Sequence, residues 1–261
     1  MEILVGCDPE CFVKQNGTFV SAYGLIPGDK KNPFPVAKGA VQVDGMALEF
    51  NILPAASADE FCINVEEVFA ALKQMVPEYQ VVATPVADFT KEHMAEQPAE
   101  ALELGCDPDF NGWLMLPNDK PNGNRLFRTA AGHIHIGWTE GEDVTSSQHF
   151  ARAAAVARQM DFYLGLPSLF WDEDVRRREM YGKAGCFRPK SYGMEYRTLS
   201  NAWLNSKKVM TLVYNNVQEG MKNIFNDNLL FDKYGDIQEI INKSDKNAAM
   251  HIIEKEGIAL A

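Results

Sequence analysis

No run of about 18 apolar residues occurs in this 261-residue chain, so no transmembrane helix is predicted. The opening MEILVGCDPE carries acids and no basic n-region, which argues against a secretory leader. Cysteine is scarce and odd in number: Cys7, Cys11, Cys62, Cys106 and Cys186. None forms a C-x-x-C pair, a pattern that fits reduced thiols in a cytoplasm rather than a disulfide framework or a structural zinc site. Positive charge is in deficit, with 25 Lys and Arg against 36 Asp and Glu and a formal net charge of −11. That balance opposes non-specific nucleic-acid binding, which depends on neutralising phosphates. There is no G-x-x-x-x-G-K-[ST] loop and no G-x-S-x-G elbow, so a P-loop enzyme and an α/β-hydrolase are both excluded.

What is present is an ordinary globular composition, 46% hydrophobic and 23% charged, with no convincing linker; one domain over 1–261 is expected. Glu2–Val13 reads as a strand, Asn16-Gly17 as a hairpin turn, and Thr18–Ala22 as the return. Gly24–Gly39 is a loop, and Ala40–Leu53 reads as one strand with Gly45 as a bulge. Ser57-Ala58-Asp59-Glu60 has the form of a capping box, and Phe61, Val65, Val68 and Leu72 recur at helical spacing, so Ala58–Met75 is predicted helical up to Pro77. Strands are expected at Gln80–Val86 and Leu126–Trp138, and helices at Ser146–Leu164, Trp203–Phe225 and Lys246–Glu256. The echo of Gly6–Phe12 in Gly105–Phe110 is too short to prove duplication, and Pro117–Asn124 reads as a turn-rich loop. Strands separated by loops, with long helices between them, predict an α+β fold whose sheet is largely antiparallel.

Charge of the scarce sign is concentrated in one stretch. Arg176–Asn201 holds Arg176, Arg177, Arg178, Lys183, Arg188, Lys190 and Arg197 against only Glu179 and Glu195. An acidic protein that gathers its cations in one place is positioning them against an anion, although a solvated, salt-bridged segment is the competing reading. Glu195-Tyr196-Arg197 places an acid and a guanidinium on one face of a strand. Asp8-Pro9-Glu10 puts two carboxylates on one face, where like charges raise each other's pKa unless a cation intervenes. Glu49, in ALEFNI, is either a buried ligand or a member of a wet face. His133-Ile134-His135 points two imidazoles the same way; such pairs serve metals or simply pack in cores. Together Asp8, Glu10, Glu49, His133, His135 and Glu195 make a mostly oxygen donor set, suited to Mg2+ or Mn2+. Hard metals beside a cation cluster are a layout for phosphoryl chemistry on ATP.

In chain order GCDPE, IPGDK, VDGMALEFN, GHIHIG, YGKAG-x-FR and YGMEYRTLSNAW resemble the phage-type carboxylate–amine ligases (COOH–NH2 ligase type 2, or amidoligases) of the glutamine synthetase and glutamate–cysteine ligase superfamily. The resemblance spans roughly Leu4–Leu204 and leaves the helical part 205–261 without named motifs. It implies an α+β catalytic domain like that of glutamine synthetase, with metals and ATP held on a curved, largely antiparallel sheet. It further implies an ATP-dependent ligase that joins a small-molecule or peptide carboxylate to an amine through an acyl phosphate, in the cytoplasm (the host's, for a phage protein). By the same resemblance Asp8, Glu10, Glu49, His133, His135 and Glu195 are metal ligands. Arg197 faces the substrate carboxylate or the phosphate passed to it. Arg177, Arg178 and Arg188 steady the nucleotide phosphates, and Lys183 is added from its place in that loop. Asp44 and Glu49 stand at a spacing unlike glutamine synthetase, and the separate N-terminal domain of that enzyme is missing, so its ring assembly is not implied. A guanidino-kinase-like phosphotransferase and an inactive ATP- or metal-binding regulatory module remain open, as does a metal-dependent hydrolase.

Overall fold

The alternation of one long strand, β1 (Leu4–Gln15), decides which side of the molecule does what. In the computed structural model, which describes residues 2–103, 109–119 and 125–261, Val5, Cys11 and Val13 turn into the hydrophobic core. Leu4, Gly6, Asp8, Glu10 and Phe12, the intervening residues, line a cavity, as a period of two requires. Asn16 and Gly17 both take positive φ, the requirement of a tight hairpin turn, and return the chain into β2 (Thr18–Val20).

After β3 (Phe34–Val36) the expected single strand over Ala40–Leu53 is instead a hairpin, β4 (Gly39–Asp44) and β5 (Ala47–Ile52). Gly45, at φ 56, opens a two-residue loop that pairs Asp44 with Ala47, so it is a turn and not a bulge. The fold-back sets Gln42 opposite Glu49. Helix α1 (Ala58–Met75) matches its expected limits. The Ser57 side chain accepts from the Glu60 amide at 3.2 Å, and Glu60 Oε2 reaches back to the Ala56 amide at 2.8 Å, one residue beyond the usual box.

The expected strand at Gln80–Val86 is two short ones, β6 (Gln80–Val82) and β7 (Val86–Asp88), on either side of Pro85, which has no N–H for a ladder. Short helices α2 (Lys91–Ala95) and α3 (Ala99–Leu102) follow, then the small strands β8 (Phe110–Asn111) and β9 (Leu116–Pro117). The echo at Gly105–Phe110 and the loop at Pro117–Asn124 fall largely outside the described residues. The strand expected over Leu126–Trp138 divides into β10 (Phe127–Thr129), which pairs β7, and β11 (Gly132–Gly137), which joins the main sheet.

Helix α4 (Ser147–Met160) runs on through a π-helical turn, Asp161–Gly165, into α5 (Leu166–Ser168). The cation-rich stretch becomes α6 (Arg176–Met180) and a hairpin of β12 (Cys186–Lys190) and β13 (Gly193–Tyr196). The helix expected from Trp203 begins later, as α7 (Lys207–Phe225), because Ser206 is extended at φ −147 and separates it from a 3-10 turn at Asn201–Asn205. The chain ends in α8 (Leu230–Tyr234), α9 (Gln238–Asn242) and α10 (Lys246–Glu256).

The main sheet runs β3-β4-β5-β1-β11-β13-β12-β8-β9, with β2 and β6 also paired to β1, and every ladder is antiparallel. Helices and antiparallel sheet thus make an α+β architecture. Phe61, Trp203, Tyr214 and Ile136 meet in one core between sheet and helices, while Phe162, Leu166, Ile241, Ile252 and Ile253 form a second under the C-terminal helices. Helices α7 to α10 are core and packing, and none of their residues lines the cavity. Cys7, Cys11, Cys62 and Cys186 are free and buried, and Cys106 lies outside the described residues. Among the described residues no helix is long and apolar enough to cross a membrane.

Candidate active site

Register brings distant residues to one place. Asp8 pairs with His133 across β1 and β11, Glu10 with Glu49 across β1 and β5, and Glu195 with both His135 and Arg188 across β13. All six expected metal ligands line one cavity of about 930 Å³, together with Asp44, Arg128, Arg177, Arg188, Lys190 and Arg197.

The acids divide into two groups rather than the single set expected. Asp8, His135 and Glu195 offer ligand atoms within 4.8 Å of one another, as do Glu10, Asp44 and Glu49. His133 belongs to neither group, but its Nδ1 lies 3.3 Å from Asp8 Oδ1 and 3.3 Å from Glu195 Oε1. Asp8 Oδ1 and His135 Nε2 are buried and make no hydrogen bond of proper geometry, although His135 Nε2 stands 3.1 Å from Asp8 Oδ2. Tyr192 hydrogen-bonds the other ring nitrogen, His135 Nδ1, and so fixes the ring. Atoms so aimed at a common point, in two oxygen-dominated sets, fit hard divalent cations.

The two groups differ in charge. Glu195 is fully buried, yet Lys190 Nζ stands 2.8 Å and Arg188 Nη1 3.3 Å from its Oε2, and Arg197 donates to its Oε1. Burial and Asp8 push the Glu195 carboxyl up, but Arg197, His133 and His135 outweigh them and hold it at about 2. Asp8 likewise, against burial, is held well below the carboxylate range by His135 and His133. The second group goes the other way. Burial, with Asp44 next, pushes Glu10 up to about 7, and burial with Asp8, Asp44 and Glu10 raises Glu49 well above its ordinary value. The partners in hand are the Ala131 amide, 2.8 Å from Glu10 Oε2; the Gln42 amide, 2.8 Å from Glu49; and Lys30, 2.7 Å from Asp44. Lys30, and Arg177, whose charge pulls Glu10 down, are the cations facing these three close carboxylates, and a further cation is called for.

The expected arginines separate. Arg188 and Arg197 reach the cavity beside Glu195, and Arg197 also donates from Nε to Asp109 at 2.9 Å. Arg177 reaches it nearer Glu10, its guanidinium donating to the Thr198 and Arg197 carbonyls at 2.7 and 3.2 Å. Arg178 does not: it is buried against Asp172 at 3.1 Å and the Asp172 carbonyl at 3.0 Å, a packed ion pair away from the cavity. Lys183 is exposed and also outside, because Gly182, at φ 69, turns the chain away after Tyr181. Arg176 pairs with Asp88 and Asp174 at the surface.

Four lining residues stand outside the expected site, Lys190 and Asp44 noted but given no role there and Asp109 and Arg128 not singled out. Lys190 lies two positions after Arg188, so strand alternation alone puts it on the same face. Asp44 follows from reading Asp44-Gly45 as a hairpin turn, which places its strand against β5. Asp109 and Arg128 have no local signal, because only tertiary packing brings them in.

A comparison with curated proteins finds no match. Among solved structures the chain is similar to a crystal structure of a bifunctional glutathione synthetase from Pasteurella multocida, at 10% identity and a TM-score of 0.41. That likeness covers 98% of this chain and 50% of the other, so the chain spans about half the length of the protein it matches. The model of the family described as phage phiEco32-like COOH.NH2 ligase-type 2 matches residues 127–252. These residues hold His133, His135, Glu195 and Arg197, while Asp8, Glu10, Asp44 and Glu49 come from the strands before them. The resemblance to the COOH–NH2 ligase type 2 family thus extends over residues 127–252, a little under half of the chain.

Proposed function

We propose that this chain is an ATP-dependent carboxylate–amine ligase whose catalytic domain spans 1–261 and is built like that of glutamine synthetase. The observation that carries the reading is one cavity lined at once by two oxygen-rich acid groups and by Arg188, Lys190 and Arg197. The family-model match over 127–252 adds support. Asp8, His135 and Glu195 would hold one divalent ion, Mg2+ or Mn2+, and Glu10, Asp44 and Glu49 a second; when bound, such ions neutralise charge on phosphoryl oxygens.

Arg188, Lys190 and Arg197 bind the ATP phosphates and offset the negative charge that develops as the γ-phosphoryl moves. A substrate carboxylate oxygen bonds to the γ-phosphorus, the bond to ADP breaks, and an acyl phosphate results. A neutral amine then attacks the acyl carbon; phosphate leaves with the bonding pair and takes the amine's surplus proton. Walls that hold the reactants in line contribute on the order of 7–11 kcal/mol in well-oriented cases. Arg197 is tied to Glu195 and Asp109 and so is fixed before substrate arrives.

The test is ADP and phosphate release across a panel of carboxylates and amines, with Mg2+ or Mn2+. ADP formation that needs both substrates, with an amide product, is expected. A stable phosphorylated product without amine would replace the ligase by a phosphotransferase. Nucleotide binding with no turnover on any pair would leave a regulatory module.

A further inference from the structure

The cavity has a second cationic end. Along β1, Lys190 and Arg188 lie across the sheet from the rows of Leu4 and Gly6, because Lys190 pairs with Gly193 and Gly193 with Gly137, the partner of Leu4. Arg177 lies beyond the other end of β13, held by the Arg197 and Thr198 carbonyls and close enough to Glu10 to feel its charge. Arg128, on β10, lines the same cavity and meets this end through Tyr181, which is close enough to act on the Arg128 charge and whose amide donates to the Arg177 carbonyl at 2.7 Å.

Both guanidinium groups are more than nine-tenths buried, at 6% exposure for Arg128 and 1% for Arg177. Among the described residues neither donates to an acid. Arg128 Nη1 donates to the Arg125 and Phe127 carbonyls at 2.9 and 3.0 Å, and its Nε has no hydrogen-bond partner. Arg177 Nε is likewise without a partner. The nearby acids are engaged elsewhere: Glu10 accepts from the Ala131 amide, and Asp172 is paired with Arg178. Gly182 keeps Arg177 in place, because a Cβ there would sit 1.7 Å from Arg177 Nη1. A buried guanidinium that donates only to neutral carbonyls and keeps a spare donor is built to receive an anion.

We infer that Arg128 and Arg177 form a second anion subsite, separate from the cations around Glu195, which binds a distal carboxylate or phosphate of the acid substrate. It rests on the ligase reading for what the bound acid is used for, and it narrows that reading to acids with a second anionic group. Distance between the two cationic ends, rather than charge alone, then selects the substrate by chain length.

Calorimetric binding to the full chain, without ATP and with Mg2+ present or absent, tests it. The probes are α,ω-dicarboxylates from succinate to suberate, ω-phosphonocarboxylates of the same lengths, and matched monocarboxylates. At least one dianion should bind wild type tenfold or more tightly than its monocarboxylate. Preference between the carboxylate and phosphonate series identifies the distal group. Arg128→Gln should bring the preference to within about twofold, and Arg128→Lys should retain part of it. Should Arg128→Gln not fold, the wild-type series still decides, since equal affinity for mono- and dianions overturns the subsite. So does a preference that survives intact in folded Arg128→Gln. Binding as expected without any ADP formation would instead overturn the ligase reading and leave the subsite standing.

Discussion

Around Glu195, Lys190, Arg188, Arg197 and His133 all stand within 3.3 Å, whereas Glu10 and Glu49 face each other across β1 and β5 with a further acid, Asp44, close to both and Lys30 as its partner. Both groups lie on one face of one sheet, and apart from the fully buried Glu195 their members are half-buried, so exposure alone does not separate them. What separates them is which strands lie alongside. β12 carries Arg188 and Lys190 at alternate positions and Arg197 follows β13, while β4 carries Gln42 and Asp44 and β5 carries Glu49. In the first group the Glu195 charge is compensated as it stands, while Asp8 Oδ1 and His135 Nε2 keep atoms without a hydrogen bond for an ion. The second is complete only with a cation or with protons, and its folding cost therefore falls when a metal arrives.

The largest effect that would break this contrast is expected at Glu195. Glu195→Gln should reduce ADP formation at least ~10³-fold and also destabilise the fold by about 3–5 kcal/mol, because three cations lose a buried partner. Turnover and urea denaturation measure the two separately. A variant of wild-type stability would mean that Arg188, Lys190 and Arg197 find other partners, and the first group would then not be preorganised.

Glu49→Gln should move stability the other way. With one of three repelling carboxylates neutralised, the metal-free protein is expected to gain roughly 1 kcal/mol, while turnover falls about 100-fold. Wild type should gain about 2.7 kcal/mol from Mn2+ at a hundred times its Kd, and the variant should lose most of that gain. Thermal melts with and without Mn2+ read both. If Glu49→Gln is destabilised without metal, the second group is not charge-strained and the comparison between the two fails.

Arg197→Lys isolates geometry from charge. Arg197 spans Glu195 and Asp109 with two different nitrogens, which a single ammonium cannot do. A loss in kcat of about 100-fold with the fold retained is expected. A loss confined to KM would demote this arginine to ground-state binding.

The sequence made some of this contrast legible and hid the rest for definite reasons. Alternation along β1 and β13 placed Asp8 with Glu10 and Glu195 with Arg197 on shared faces, because strand periodicity is local. The α1 cap and core stripe were readable for the same reason. The division of the acids into two groups was not, since it depends on the Gly45 hairpin that was read as a bulge, and hence on where Asp44 lands. Arg178 was misplaced because α6 turns its neighbour Arg177 to the cavity and sends Arg178 to Asp172; a five-residue helix leaves no periodicity to choose between them. Arg128 carries no signal at all, since β10 and β7 meet only through tertiary packing.

Asp161 offers the finest test, because it is as buried as Glu195 but surrounded by neutral donors instead of cations. Trp113 Nε1 and the Tyr196 hydroxyl each donate to it at 2.6 Å and the Gly185 amide at 2.9 Å. Burial pushes its carboxyl up to about 7 against those three bonds, whereas Glu195 is held at about 2. The signs follow from linkage. Between about pH 4 and pH 7 the folded state keeps on Asp161 a proton that the unfolded chain has released, so stability falls as pH rises through that window and is level above it. Glu195 contributes the reverse: stability present above the unfolded carboxylate pKa near 4 and lost as pH drops towards 2. The value near 7 already includes the three donors, so Asp161 accounts for at most about 4 kcal/mol of the fall. Asp161→Asn is destabilised throughout, since its amide N–H2 would confront one of three donors, but its stability curve should be flatter than wild type between pH 4 and 7. Parallel curves would mean that neutral hydrogen bonds hold a buried carboxylate ionised as well as cations do, and charge compensation around Glu195 would no longer distinguish it.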